Sequence, residues 1–177
     1  DRYQHRKGHV RIRVCTREGK PACKRNVEIR QMSHSFLFGC GAFETLYVTD
    51  PEMEEAKRAF YEERMEKWLK IFNYGTLPFY WGQFEKVEGK TRTQEIRRAA
   101  RWLKERKVTL KGHPLCWHTQ TAPWLLNLND EEILKKQLGR IRRDVMEFKG
   151  LIDMWDVINE VVIMPVFDKY DNGITRI

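Results

Sequence analysis

The sequence predicts an α/β chain built on a parallel sheet of about four strand–helix units. Three observations carry this. Apolar runs at 36–43, 74–81, 108–118 and 151–160 alternate with stretches of helical periodicity. The first of these runs is apolar at adjacent positions, as strands buried on both faces are. Between runs the apolar stripe recurs every three to four residues, which is the repeat of a helix packed on one face. Such alternation folds as right-handed βαβ units, with every strand ending on the same rim.

Taken in order, "HVRIRVC" (9–15) and "NVEIRQM" (26–32) alternate apolar and polar residues around the turn-like "EGKP". They predict a short N-terminal β-hairpin extension over residues 1–33, ahead of the main domain at 34–177. "FLFGCGAF" (36–43) is the first sheet strand. Asp50-Pro51 is expected to open a helix as cap and first-turn proline. Tyr61, Met65, Trp68 and Phe72 give that helix one apolar face. "YGTLPFYW" (74–81) is the second strand, and Ile96, Ala99, Ala100 and Leu103 mark the next helix. "VTLKGHPLCWH" (108–118) is the third strand. Asn129 and Glu132 have capping-box spacing, and Leu134, Leu138, Ile141, Val145 and Phe148 form the stripe behind them. "LIDMWDVINE" (151–160) is the fourth strand.

Composition narrows the function classes. With 41% hydrophobic and 33% charged residues the chain is a folded domain rather than a disordered one. No run approaches the ~20 apolar residues of a membrane span. The net charge of +8 invites a nucleic-acid reading. However, "KERK" (104–107) and "RIRR" (140–143) fall on helices with apolar opposite faces, so they read as solvated surfaces. None of the four cysteines forms a Cys-x-x-Cys pair, which argues against zinc. Cys15 and Cys23 are either free, buried thiols or a bridge across the hairpin. The sequence starts at Asp1 with no leader, as a trimmed or fragmentary product would.

The polar residues gather at predicted strand ends. His113, Trp117, His118 and Gln120 lie at or beyond the end of the third strand, Asn159 and Glu160 at the end of the fourth, and Tyr80 and Trp81 at the end of the second. In α/β folds that rim holds the chemistry. A carboxyl such as Glu160 beside an apolar wall such as Trp155 would hold its proton more tightly, as a general acid requires. The indoles of Trp81 and Trp117 can stack on a sugar ring, while Trp124 reads as packing. His113 and His118 are five apart on an extended strand and point to opposite faces, so joint metal coordination is not expected.

"GHPLCWHTQTAPWL" (112–125) resembles the third-strand motif of glycoside hydrolase family 10, the endo-β-1,4-xylanases, and "MWDVINEVV" (154–162) resembles its fourth-strand motif. "HSFLFGCG" (34–41) and "FNYGTLPFYWGQFEKVEGK" (72–90) are similar to its first two strands. The resemblance implies the N-terminal half of a (β/α)₈ barrel acting on xylan with no cofactor or metal, outside the cell or in a periplasm. It implies Glu160 as general acid/base, and Asn159, His113, Trp117, His118, Gln120 and Asn73 as substrate-binding residues. Tyr80 stands where the family typically has a sugar-binding lysine. The nucleophilic glutamate of the seventh strand has no counterpart here. The 177 residues alone are therefore expected to be inactive, and poorly folded or associated through open sheet edges. No partner is implied beyond xylan and the missing half; membrane and nucleic acid are not expected.

Overall fold

The computed structural model describes residues 2–152 and 154–160. Asp153 and residues 161–177, including the last two residues of the fourth-strand motif, lie outside them. The chain divides into two compact units, Asp1–Ser35 and Phe36–Ile177.

The larger unit is a four-stranded parallel sheet with its strands in sequence order. These are β1 (Gly39–Gly41), β2 (Tyr74–Pro78), β3 (Thr109–His113) and β4 (Met154–Trp155). Helices α1 (Thr45–Val48), α2 (Glu55–Leu69), α3 (Trp81–Phe84), α4 (Thr93–Glu105) and α5 (Asp130–Glu147) connect them. In β2 and β3 alternate residues are buried: Gly75, Leu77, Leu110 and Gly112. Leu77 and Leu110 pack with Ile96, Ala99, Ala100 and Leu103 of α4 in one core. The opposite face, carrying Thr76, Lys111 and His113, is only half-buried, so these strands are covered fully on one side rather than on both. Gly112 is required on the covered side, because a Cβ there would sit 2.3 Å from the Trp155 ring.

Several expectations are corrected. β1 is three residues long and exposed, and Phe36, Leu37 and Phe38 before it are exposed too. It pairs with β2 alone among the described residues, so its apolarity records a surface that its own neighbours do not cover. Asp50-Pro51 does not open α2. The Asp50 side chain accepts from the Glu52 amide at 3.0 Å and shapes a turn, and the helix starts at Glu55. The Asn129–Glu132 capping box forms in full at the start of α5. The α5 stripe, however, is mostly out of phase with the expected one: Ile133, Gln137, Arg140 and Asp144 are buried and Leu134 and Leu138 are exposed, while Phe148 is buried as expected. Arg140, expected on a solvated face, is 2% exposed.

In the smaller unit the expected hairpin shrinks to a single antiparallel bridge, Cys15 opposite Pro21, around a turn closed by Thr16 and Lys20. Residues 9–14 and 26–32 form no strand. Val10, Ile12, Val27 and Ile29 remain exposed, and two strands without a surface to bury against are marginal in water. Cys15 and Cys23 are free, and exposed rather than buried.

Candidate functional site

Because all four strands run parallel, their exits share one rim. Pairing continues past β3 and β4: Leu115 N–H donates to the Asp156 carbonyl, Cys116 bridges Ile158, and Asn159 N–H donates to the Cys116 carbonyl at 2.9 Å. That extension sets the third- and fourth-strand segments side by side. Trp117 then donates its indole N–H to Glu160 Oε2 at 2.7 Å. Glu160 itself has φ +58°, a left-handed backbone that is uncommon for a residue with a side chain. Trp155, expected to wall the carboxyl, packs instead on Phe79 and Phe148 in the core.

Beside this pair, His113 Nδ1 lies 2.7 Å from Asp156 Oδ2, and Lys111 Nζ lies 2.8 Å from the same oxygen. Burial would raise the Asp156 pKa, but the bonds from Lys111 and His113 outweigh it and hold the carboxyl below the ordinary carboxylate range. The Tyr80 ring ties the rim together. It meets His113 edge-on at 5.5 Å, Trp117 at 5.8 Å and Phe43 at 6.2 Å. Burial pushes its phenol up, keeping it a neutral donor.

The rim therefore gathers Glu160, Trp117, His113, Tyr80 and Asp156. Asn159 and Gln120 are half-buried on the same segments, and His118 is buried in the short turn His118–Gln120. Two expected site residues are not brought to it. Asn73 precedes β2, at the opposite rim, and its side chain bonds the Phe38 amide and the Phe36 carbonyl. Trp81 is 4% exposed, donates to Glu85 at 3.0 Å and packs edge-on against Trp124, so no sugar can stack on it.

Sequence reasoning missed the layer behind the rim. The Arg140 guanidinium donates to the carbonyls of Phe79 and Leu115, just ahead of the segments bearing Tyr80 and Trp117, and lies over the Trp81 ring. Gln137 also donates to the Leu115 carbonyl, at 3.0 Å. Asp144 pairs with Arg140 and Arg143, and Arg143 reaches buried Glu85 at 2.9 Å. Burial pulls the Arg140 pKa down to about 10 and raises that of Asp144, in both cases against their mutual attraction. Burial would raise Glu85 as well, but Arg143, the Gly89 amide and Trp81 together hold it low. A charged residue repeating at i and i+4 on a helix that must cover a sheet was the available signal. Among the described residues, no cluster of three His, Cys, Asp or Glu side chains is placed to hold a metal ion.

The model of glycosyl hydrolase family 10 matches residues 78–170, more than half of the chain, and runs through both rim motifs. An Arabidopsis thaliana protein, endo-1,4-beta-xylanase 5-like, is 28% identical over 169 residues, which cover 93% of this chain and 28% of that protein. Endo-1,4-beta-xylanase C of Paenibacillus barcinonensis is 28% identical over 142 residues, 75% of this chain and 12% of its own length. Among solved structures, a family 10 endoxylanase from a sugarcane soil metagenome superposes with a TM-score of 0.61 at 20% identity, over 80% of this chain and 41% of its own. A family 10 structure from Paenibacillus barcinonensis gives 0.57 at 23% identity, over 77% and 38%. The chain thus spans less than half the length of the proteins it matches, and its parallel sheet is part of a (β/α)₈ barrel. Carrying that fold and both strand-end motifs, it belongs to glycosyl hydrolase family 10.

Proposed function

We propose that this chain carries the acid/base side of a retaining endo-β-1,4-xylanase site, with Glu160 as the general acid/base. The observation behind this reading is the Trp117–Glu160 bond at 2.7 Å. It joins the two motif segments and occupies Oε2, which leaves Oε1 to carry the proton. Glu160 protonates the glycosidic oxygen as a second carboxylate attacks the anomeric carbon, forming a glycosyl-enzyme. Glu160 then takes a proton from the water that releases the sugar. Retention sets the two carboxyls about 5–5.5 Å apart. Asp156 is held by Lys111 and His113, and Glu85 by Arg143 and Trp81, so neither is available to attack. The nucleophile is assigned to a residue outside the described ones.

In this reading Asn159, His113 and Gln120 contact sugar hydroxyls, and Trp117 presents its ring. Trp81 and Asn73 hold the scaffold. Polymeric xylan is too large to cross a membrane, so this reading has the enzyme act on it outside the cell, or on shorter fragments in a periplasm; no described helix is long and apolar enough to span a bilayer.

The test is Glu160→Ala in a barrel completed by fusing the C-terminal half of a relative. Hydrolysis of xylan should fall about 10²–10⁴-fold, while single-turnover glycosylation by an aryl xyloside with a good leaving group stays nearly intact. Equal losses on both substrates would remove Glu160 from the acid role. Binding of xylo-oligosaccharide without turnover by the unsubstituted barrel would leave a carbohydrate-binding module instead.

A further inference from the structure

The positive charge of this protein is segregated. Residues 1–35 carry ten lysines and arginines against Asp1, Glu18 and Glu28, which leaves 23 basic and 22 acidic residues for all the rest. In the larger unit the charges are extensively paired, from Arg64–Glu44 to Arg143–Glu85. The smaller unit differs. Among the described residues, Arg11, Arg13, Arg17, Lys20, Lys24 and Arg25 are all exposed and none makes an ion pair. The one acid within that stretch, Glu18, is engaged locally by Thr16 and its own backbone.

Two of these six cations lie in one turn and the other four flank it. Thr16 N–H donates to the Lys20 carbonyl at 2.8 Å and Ala22 N–H to the Val14 carbonyl at 2.9 Å, so the chain doubles back on itself within the stretch. Like charges gathered on and beside one turn repel one another over the ~10 Å screening length of 0.1 M salt, and a polyanion lying across them offsets that repulsion. Guanidinium groups bind carboxylates through paired, charge-assisted hydrogen bonds. No aromatic side chain lies between residues 11 and 25, so the stretch offers no stacking platform for bases.

We propose that residues 11–25 form a binding site for uronate-bearing polysaccharide, anchoring the protein on acidic xylan. The choice of a glycan over other polyanions rests on the xylanase reading above. The probes are glucuronoxylan, the same polymer with its carboxyls reduced to alcohols, and a short DNA duplex, each titrated with the full chain. Glucuronoxylan should bind at least about tenfold more tightly than the reduced polymer at about 50 mM salt, and lose that margin by about 200 mM. Replacing all six cations with glutamine should abolish the margin, whereas replacing the four arginines with lysine, which keeps the charge and loses the paired bonds, should preserve only part of it. Because these side chains are exposed, the helical circular dichroism of either variant should match the parent.

Equal binding of native and reduced polymer overturns the proposal. So does tighter binding of the duplex than of glucuronoxylan, or a six-glutamine variant that binds as the parent does. Loss of glucuronoxylan binding with hydrolysis by the completed barrel intact sinks this inference alone. Binding retained while the completed barrel cannot hydrolyse xylan sinks the assignment of Glu160 and leaves this site standing.

Discussion

Helices α4 and α5 cover the same sheet in opposite ways. α4 buries Ile96, Ala99, Ala100 and Leu103, an apolar face whose period is plain in the sequence. α5 buries Gln137, Arg140 and Asp144 beside Ile133, and leaves Leu134 and Leu138 in solvent. The difference lies in what each helix meets. α4 lies over the bodies of β2 and β3, whose backbone groups already bond one another. α5 reaches the strand exits, where the carbonyls of Phe79 and Leu115 have left the ladder and need donors. A buried carbonyl without a partner costs about 1–3 kcal/mol, so a polar helix face is the cheaper cover there. One guanidinium thereby sets the spacing of the two turns that carry Tyr80 and Trp117.

The strongest way to break this comparison is Arg140→Met, measured by urea unfolding of the completed barrel. Removing the cation strands the Phe79 carbonyl, leaves the Leu115 carbonyl to Gln137 alone and buried Asp144 to Arg143 alone, and should cost about 3–5 kcal/mol. Leu103→Ala, the matching lesion in α4, should cost about 2–4 kcal/mol as a cavity. Their sites of damage should also differ. Arg140→Met should move the indole N–H resonance of Trp117, and Leu103→Ala should not. An Arg140→Met variant no less stable than the parent would mean that the polar face is incidental.

A smaller effect concerns acid. Glu85 is held below its ordinary pKa, so its contribution is present above the unfolded value near 4.5 and is lost as pH falls through the folded one. Asp144 runs the other way: its folded pKa is raised above 3.8, so its charged form costs stability and protonation relieves that cost. The two partly cancel. Glu85→Gln should therefore flatten the fall in stability between about pH 6 and 3, and Asp144→Asn should steepen it. Chemical unfolding across that range checks both signs, and identical slopes in the two variants would show that the network does not titrate as a unit.

The same contrast explains what could be read before the structure. The apolar period of α4, the Asn129–Glu132 cap and the parallel order of strands are local signals, and each survives folding. Glu160, Trp117 and His113 were legible because strand ends in a parallel sheet must coincide. Asn73 and Trp81 were misplaced because proximity in sequence to a strand does not say which rim a residue meets, or whether its ring is covered. Arg140 was read as solvated surface because it opens a basic cluster, and Asp156 was overlooked because a charge inside an apolar run reads as surface until its partner, dozens of residues away, is known. For the hairpin, alternation showed what residues 9–32 are able to pair as, without supplying a surface for them to bury.

The smallest expected effect falls on the leucine row that α5 turns outward. Leu138 is 58% exposed and Leu134 44%. Leu134→Gln with Leu138→Gln should change the stability of the 177-residue chain by no more than about 0.5 kcal/mol, as exposed substitutions do. Together with Ile141 and Val145, these leucines still follow the spacing of a buried helix face. In the completed barrel, the same pair of changes should therefore cost more, about 1–3 kcal/mol, if that row is covered there. The two unfolding measurements separate the possibilities. A small effect in both makes the row ordinary surface, and the inward polar face the whole of what α5 contributes. A small effect in the chain and a large one in the barrel makes α5 a helix with two working faces, one gripping the strand exits and one seating a neighbour.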